Sequence, residues 1–141
     1  MSQQEVLDVI NSLKGGSAPG WDSIPTKLLK KNSQELVIPI WHIINKSIET
    51  STFPDAFKLA KVIPIYKSGS KSTMSNYRPI SLLSSISKVL EKCIKIQLTS
   101  FLESKNIISS IQYGFRNNKN TSDALFDINK FLVSQIGNKK K

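Results

Sequence analysis

The run Val62-Ile63-Pro64-Ile65-Tyr66 constrains this chain more than any other feature. Its β-branched and aromatic residues favour an extended backbone, whereas Pro64 at the centre cannot donate to a ladder. The strand must therefore lie at an edge or turn that position outward. The extended pattern runs from Phe57 to Lys67, which puts Lys58 and Lys61 on one strand. A polar connector from Ser68 to Asn76 leads to Tyr77-Arg78-Pro79-Ile80-Ser81-Leu82-Leu83, and a long-looped hairpin is the economical reading. Pro79 biases Arg78 toward an extended backbone, holding its side chain clear of the sheet.

Helical spacing dominates on either side. Val6, Leu7, Val9, Ile10 and Leu13 form an apolar stripe on an opening helix that should stop at Gly15 and Gly16, because glycine suits helix exits. The turn-rich stretch from Ser17 to Pro25 follows, and Pro25 suits the first turn of a second helix. Leu28 and Leu29 anchor that helix. Val37, Ile40, Trp41, Ile44 and Ile48 continue at helical spacing, with a kink or helix start expected near Pro39. The clearest amphipathic helix carries Ile86, Val89, Leu90, Cys93, Ile94, Leu98, Phe101 and Leu102. A last helix, capped by Asn120 or Ser122, carries Leu125, Ile128, Leu132 and Ile136 and should be the most loosely docked. The predicted class is α+β, helices around one hairpin.

At 141 residues with 39% hydrophobic side chains, one core is within reach. Twenty Lys plus Arg against ten Asp plus Glu leave a formal charge of +10, which favours a polyanionic partner over a merely solvated surface. The lone Cys93 excludes an internal disulfide and a cysteine-based zinc site and fits a reducing compartment. No apolar run is long enough to span a bilayer, and the polar start lacks the layout of a secretory signal. A soluble, intracellular protein without a membrane partner is expected, nucleus or cytoplasm left open. The terminal Lys139 to Lys141 reads as a frayed end.

Three ordered stretches resemble the opening of the reverse transcriptase domain of non-LTR, LINE-type retrotransposons. They are Ser17-Ala18-Pro19-Gly20-Trp21-Asp22-Ser23-Ile24-Pro25; Lys58 to Lys67 with Asn76-Tyr77-Arg78-Pro79-Ile80-Ser81-Leu82-Leu83; and Gln112-Tyr113-Gly114-Phe115-Arg116 with Thr121. The resemblance implies the fingers region of an RNA-directed DNA polymerase, with residues 1–25 as an opening helix and loop and residues 26–141 as fingers. It implies that the palm is missing, its first catalytic aspartate falling beyond Gly137. Partners would be an RNA template, a DNA primer, deoxynucleoside triphosphates and the remaining palm and thumb. The complete polymerase would use Mg2+ held by palm carboxylates. This segment alone should not polymerise.

By that resemblance Lys67 and Arg78 match the fingers lysine and arginine that reach the triphosphate, where Arg grips oxygens bidentately and Lys acts as a point charge. Lys58 and Lys61 could touch backbone phosphates, although a solvated face explains them as well. Gln112, Gly114 and Arg116 suit a template shelf of amide, permissive backbone and cation, while Phe115 reads as a core residue pinning the loop. Pro19-Gly20-Trp21-Asp22 resembles a motif described as a template or lid contact, and a tight turn capped by Asp22 accounts for it equally.

Asp123 and Asp127, four apart, are an exposed pair near a helix start rather than a metal site. His42 and Cys93 read as structural. Two other classes stay open on the residues alone: a free-standing basic RNA-binding module, and a helical protein-interaction domain with incidental charge.

Overall fold

The computed structural model describes residues 1–138, and the lysine end, Lys139 to Lys141, lies outside the described residues. Two compact units divide the chain, Met1–Gln97 and Leu98–Lys141.

In the first unit, α1 (Gln3–Ser12) opens with a capping box, the Ser2 hydroxyl and the Glu5 carboxylate each satisfying the other's backbone amide. It closes at Leu13, whose backbone is extended (φ −68°, ψ 147°), two residues before the glycines expected to stop it. The exit is held by lysines instead. Lys30 Nζ donates to the Leu13 carbonyl at 2.9 Å and Lys92 Nζ to that of Ser12 at 3.3 Å. Ammonium groups suit these oxygens, which the end of a helix leaves without partners.

Helices α2 (Thr26–Lys31) and α3 (Ser33–Glu49) follow. Helix α3 begins six residues before Pro39 and runs through it, so Pro39 does not mark the start. The interior is helical: Val6, Val9, Ile10, Leu29, Val37, Ile40, Ile44, Val89, Leu90 and Cys93 are buried together. These positions match the helical stripes of the sequence.

A single turn, α4 (Asp55–Lys58), precedes the hairpin of β1 (Ala60–Tyr66) and β2 (Tyr77–Leu83), which pair antiparallel as the chain's two-stranded sheet. Lys58 thus belongs to a helical turn and shares no strand with Lys61, a correction to the sequence reading. The cause is local: Pro54 sets the turn, and Lys58 reaches back to Asp55 at 2.7 Å. The Lys67 amide donates to the Asn76 carbonyl at 2.8 Å, in register with the Ile65–Arg78 pair. Pro64 and Pro79 therefore face each other at a pair that exchanges no hydrogen bonds, and the ladder loses nothing to either proline.

Helix α5 (Ser85–Ser104) buries Val89, Leu90 and Cys93 but leaves Ile94, Ile96, Leu98 and Phe101 exposed. In the second unit, α6 (Thr121–Asn138) is capped reciprocally. Asn120 Oδ1 accepts from the Asp123 amide at 3.0 Å, and Asp123 accepts from the Asn120 amide at 2.9 Å. Its apolar residues Leu125, Phe126, Ile128, Phe131, Leu132 and Val133 are all exposed. Among the described residues no helix is long and apolar enough to cross a membrane.

Candidate nucleic-acid interface

In an antiparallel pair, residues opposite each other share a face and neighbours along a strand alternate. The register Ile65↔Arg78, continued by Lys67 opposite Asn76, therefore puts Lys61, Lys67 and Arg78 on one face of the hairpin, spaced by Ile63, Ile65 and Ile80. Lys61, Lys67 and Arg78 are exposed. Among the described residues the ion pairs are Lys58 with Asp55 and Arg116 with Glu103, so none of these three cations is neutralised. The reason lies in the sequence: from Ala56 to Leu90 there is no acidic residue, while Lys58, Lys61, Lys67, Lys71, Arg78 and Lys88 all fall there. Lys71 escaped the sequence reading, and this one-sided charge run is the signal that marks it.

Lys58 stands apart, on α4. Its bond to Asp55 holds that carboxyl below the ordinary carboxylate range.

The root of the hairpin is fixed by the stretch from Ala18 to Thr26. Gly20 is buried against Leu83 and Ser84, where an added Cβ would lie 2.5 Å from the Leu83 carbonyl carbon. No side chain fits. The indole of Trp21 donates to the Ala56 carbonyl at 3.1 Å, and Asp22 accepts the Ile24 amide at 3.1 Å, closing the turn. Thr26 and Ser85 share a buried hydroxyl contact at 3.1 Å, and Ser85 also donates to the Ile24 carbonyl at 3.0 Å. Ser84 caps α5 by accepting the Ser87 amide at 3.1 Å, and the Ser87 hydroxyl donates to the Phe57 carbonyl at 3.2 Å. Pro19-Gly20-Trp21-Asp22 thus sets the base from which the hairpin projects.

Gln112, Gly114 and Arg116 lie in the second unit, on the turn before α6. Gln112 Nε2 donates to the Gly114 carbonyl at 3.3 Å. Arg116 is half-buried, with Nη1 donating to the Ser109 carbonyl at 3.3 Å and Nη2 lying 3.9 Å from Glu103. Tyr113 donates its hydroxyl to Asp127, a bond that raises the phenol's pKa, and Lys119 Nζ sits 4.7 Å from the Tyr113 ring centre. Phe115 is not a core residue: it is fully exposed, with a left-handed backbone (φ 61°) that Gly114 does not adopt. The pinning contact expected of it is made by Tyr113.

Asp123 caps a helix and Asp127 binds Tyr113, which accounts for both carboxylates. Among the described residues no group of three or more His, Cys, Asp or Glu could hold a metal ion.

No family model matches the chain. It is 29% identical over 138 residues, 97% of its length, to the "Probable RNA-directed DNA polymerase from transposon BS" of Drosophila melanogaster. Identity is 32% over 137 residues to the corresponding protein of transposon X-element, and 30% over 138 residues to the RNA-directed DNA polymerase of mobile element jockey, both from the same fly. Over nearly its whole length the chain is thus homologous to a segment of the reverse transcriptases of non-LTR, LINE-type retrotransposons. It spans about 15% of the length of these reverse transcriptases and so corresponds to one segment of them. The matched span takes in all three motif stretches.

Proposed function

We propose that this chain is the fingers region of an RNA-directed DNA polymerase, handling the incoming deoxynucleoside triphosphate and the template but not the chemistry. Lys67 and Arg78 would grip the triphosphate, Arg78 bidentately. Lys61 and Lys58 would meet backbone phosphates, and Gln112, Gly114 and Arg116 the template strand. Residues 1–25 would serve as the opening element and residues 26–141 as the fingers. The palm and thumb of the complete enzyme would supply the carboxylates and the Mg2+ they hold. That metal would neutralise charge on the phosphoryl group in transfer.

The observation that carries this reading is the shared face of Lys67 and Arg78, exposed and without an acidic partner. Fixed cations in that state favour a polyanion, and they do so without reading sequence.

The test is a salt titration of single-stranded RNA binding by this chain. Replacing Lys67 and Arg78 together by Ala should weaken binding and flatten the dependence of log K on log salt by about 0.7 for each phosphate no longer neutralised. An unchanged slope rejects the assignment of these two residues.

A further inference from the structure

The hairpin has a second face, and the proposed phosphate contacts leave it unused. Val62, Pro64, Tyr66, Tyr77 and Pro79 alternate onto the side opposite Lys67 and Arg78. Val62 is 59% exposed there, and Met74, raised by a short 3-10 turn from Met74 to Asn76, is 90% exposed. Isolated apolar exposure, as at Val62, is ordinary, but Met74 lines a hollow of about 320 Å³ together with Pro64, Lys71, Ser72 and Tyr77.

The hollow is built rather than incidental. Tyr66 and Tyr77 meet edge to face with ring centres 5.6 Å apart. Each ring ties down the connector: the Tyr77 hydroxyl donates to the Lys71 carbonyl at 2.9 Å and that of Tyr66 to the Gly69 carbonyl. Lys71 Nζ stands 5.8 Å from the Tyr66 ring centre, at the rim.

An occupant must suit both lining and rim. A flat aromatic group joined to a negatively charged one does so, and the surrounding stretch from Ala56 to Leu90 bears six cations and no acid. We propose that this face seats one unpaired nucleobase of a single-stranded nucleic acid, stacked on Tyr77 and Met74 with Lys71 beside the adjoining phosphate. The inference rests on the reading that the chain handles nucleic acid, but it concerns bases, whereas the Lys67–Arg78 face concerns phosphates. Aromatic stacking tolerates every base, so the seat would grip a strand irrespective of sequence.

Anisotropy with two strands of equal length, one an ordinary single-stranded RNA and one with its bases removed, separates the two faces. Tyr77→Leu should weaken binding of the base-bearing strand roughly ten-fold, the size of one base–aromatic stack, and leave the abasic strand unaffected. Tyr77→Phe, which keeps the ring and removes the hydroxyl, should retain the affinity, and Met74→Ala, at a position with no structural burden, should show a smaller loss of the same kind. The Lys67→Ala, Arg78→Ala pair should weaken both strands alike, so failure of the phosphate face is read independently. The proposal is overturned if the unaltered chain binds both strands equally, or if Tyr77→Leu weakens both alike, which would leave the apolar lining to a protein partner. It is equally overturned if Tyr77→Phe weakens binding as much as Tyr77→Leu, since the ring would then act only through its hydroxyl.

Discussion

Gly20 rests against the backbone of Leu83, leaving no room for a Cβ, which would meet the Leu83 carbonyl carbon at 2.5 Å. Both sides of this approach are main chain or its immediate neighbour, so neither can yield by a side-chain rotation. Gly20→Ala should therefore destabilise the first unit by about 2 kcal/mol or more, the scale of an overpacked interior. Gly15→Ala, where a Cβ meets nothing within 4 Å, is the control and should leave urea unfolding unchanged.

The thiol of Cys93 has a pKa pushed up to about 11 by burial, with the nearby charge of Glu5 adding to it. An unfolded thiol titrates near 9.0, so between these values the unfolded chain has released a proton that the folded chain keeps. Stability must then fall as pH rises through that window, by at most about 1.4 kcal/mol per pH unit from this group. Cys93→Ala should flatten the alkaline limb of the stability curve. Parallel limbs for the two proteins would show that Cys93 does not contribute to it.

The reciprocal bonds between Asn120 and Asp123 are the main device that starts α6. Asn120→Ala should cost the helix about 1 kcal/mol and speed amide exchange through its first turns. Because the apolar residues of α6 are exposed, packing offers little compensation, and far-ultraviolet circular dichroism should register the loss directly.

Arg116 is held near Glu103 and Ser109, whereas Lys67 and Arg78 are not held by any acid among the described residues. The proposed template role of Arg116 predicts that Glu103→Gln, which removes its counter-charge, raises affinity for single-stranded RNA and steepens the salt slope by up to about 0.7. An affinity that stays the same in Glu103→Gln and also in Arg116→Ala would make Arg116 a loop strut alone.

What could be read from the residues depended on the distance over which each effect acts. The stripes Val6, Val9, Ile10 and Val89, Leu90, Cys93 reveal their helices because amphipathic spacing is local, and the hairpin follows from Val62 to Tyr66 for the same reason. The shared face of Lys67 and Arg78 needed the register, which the length of the connector left open. The helical turn that holds Lys58 leaves no trace in the sequence, because four residues carry no detectable periodicity. Gly20 touches a partner far along the chain, an approach that no local pattern of residues marks. Phe115 reads as interior because large aromatic residues usually lie there, a tendency that its left-handed turn overrides.

The facing prolines of the hairpin have a further consequence. At a pair that exchanges no hydrogen bonds, amide groups point away from the partner strand, and Pro64 and Pro79 each occupy one of the inner outward-facing positions of their margin. Neither can offer a donor to an incoming strand, so a third chain segment would find a gap midway along whichever margin it approached. The missing donors make the hairpin a poorer template for widening into a larger sheet or zipping onto its own copies, so its two broad surfaces, rather than its margins, are what it offers to a partner.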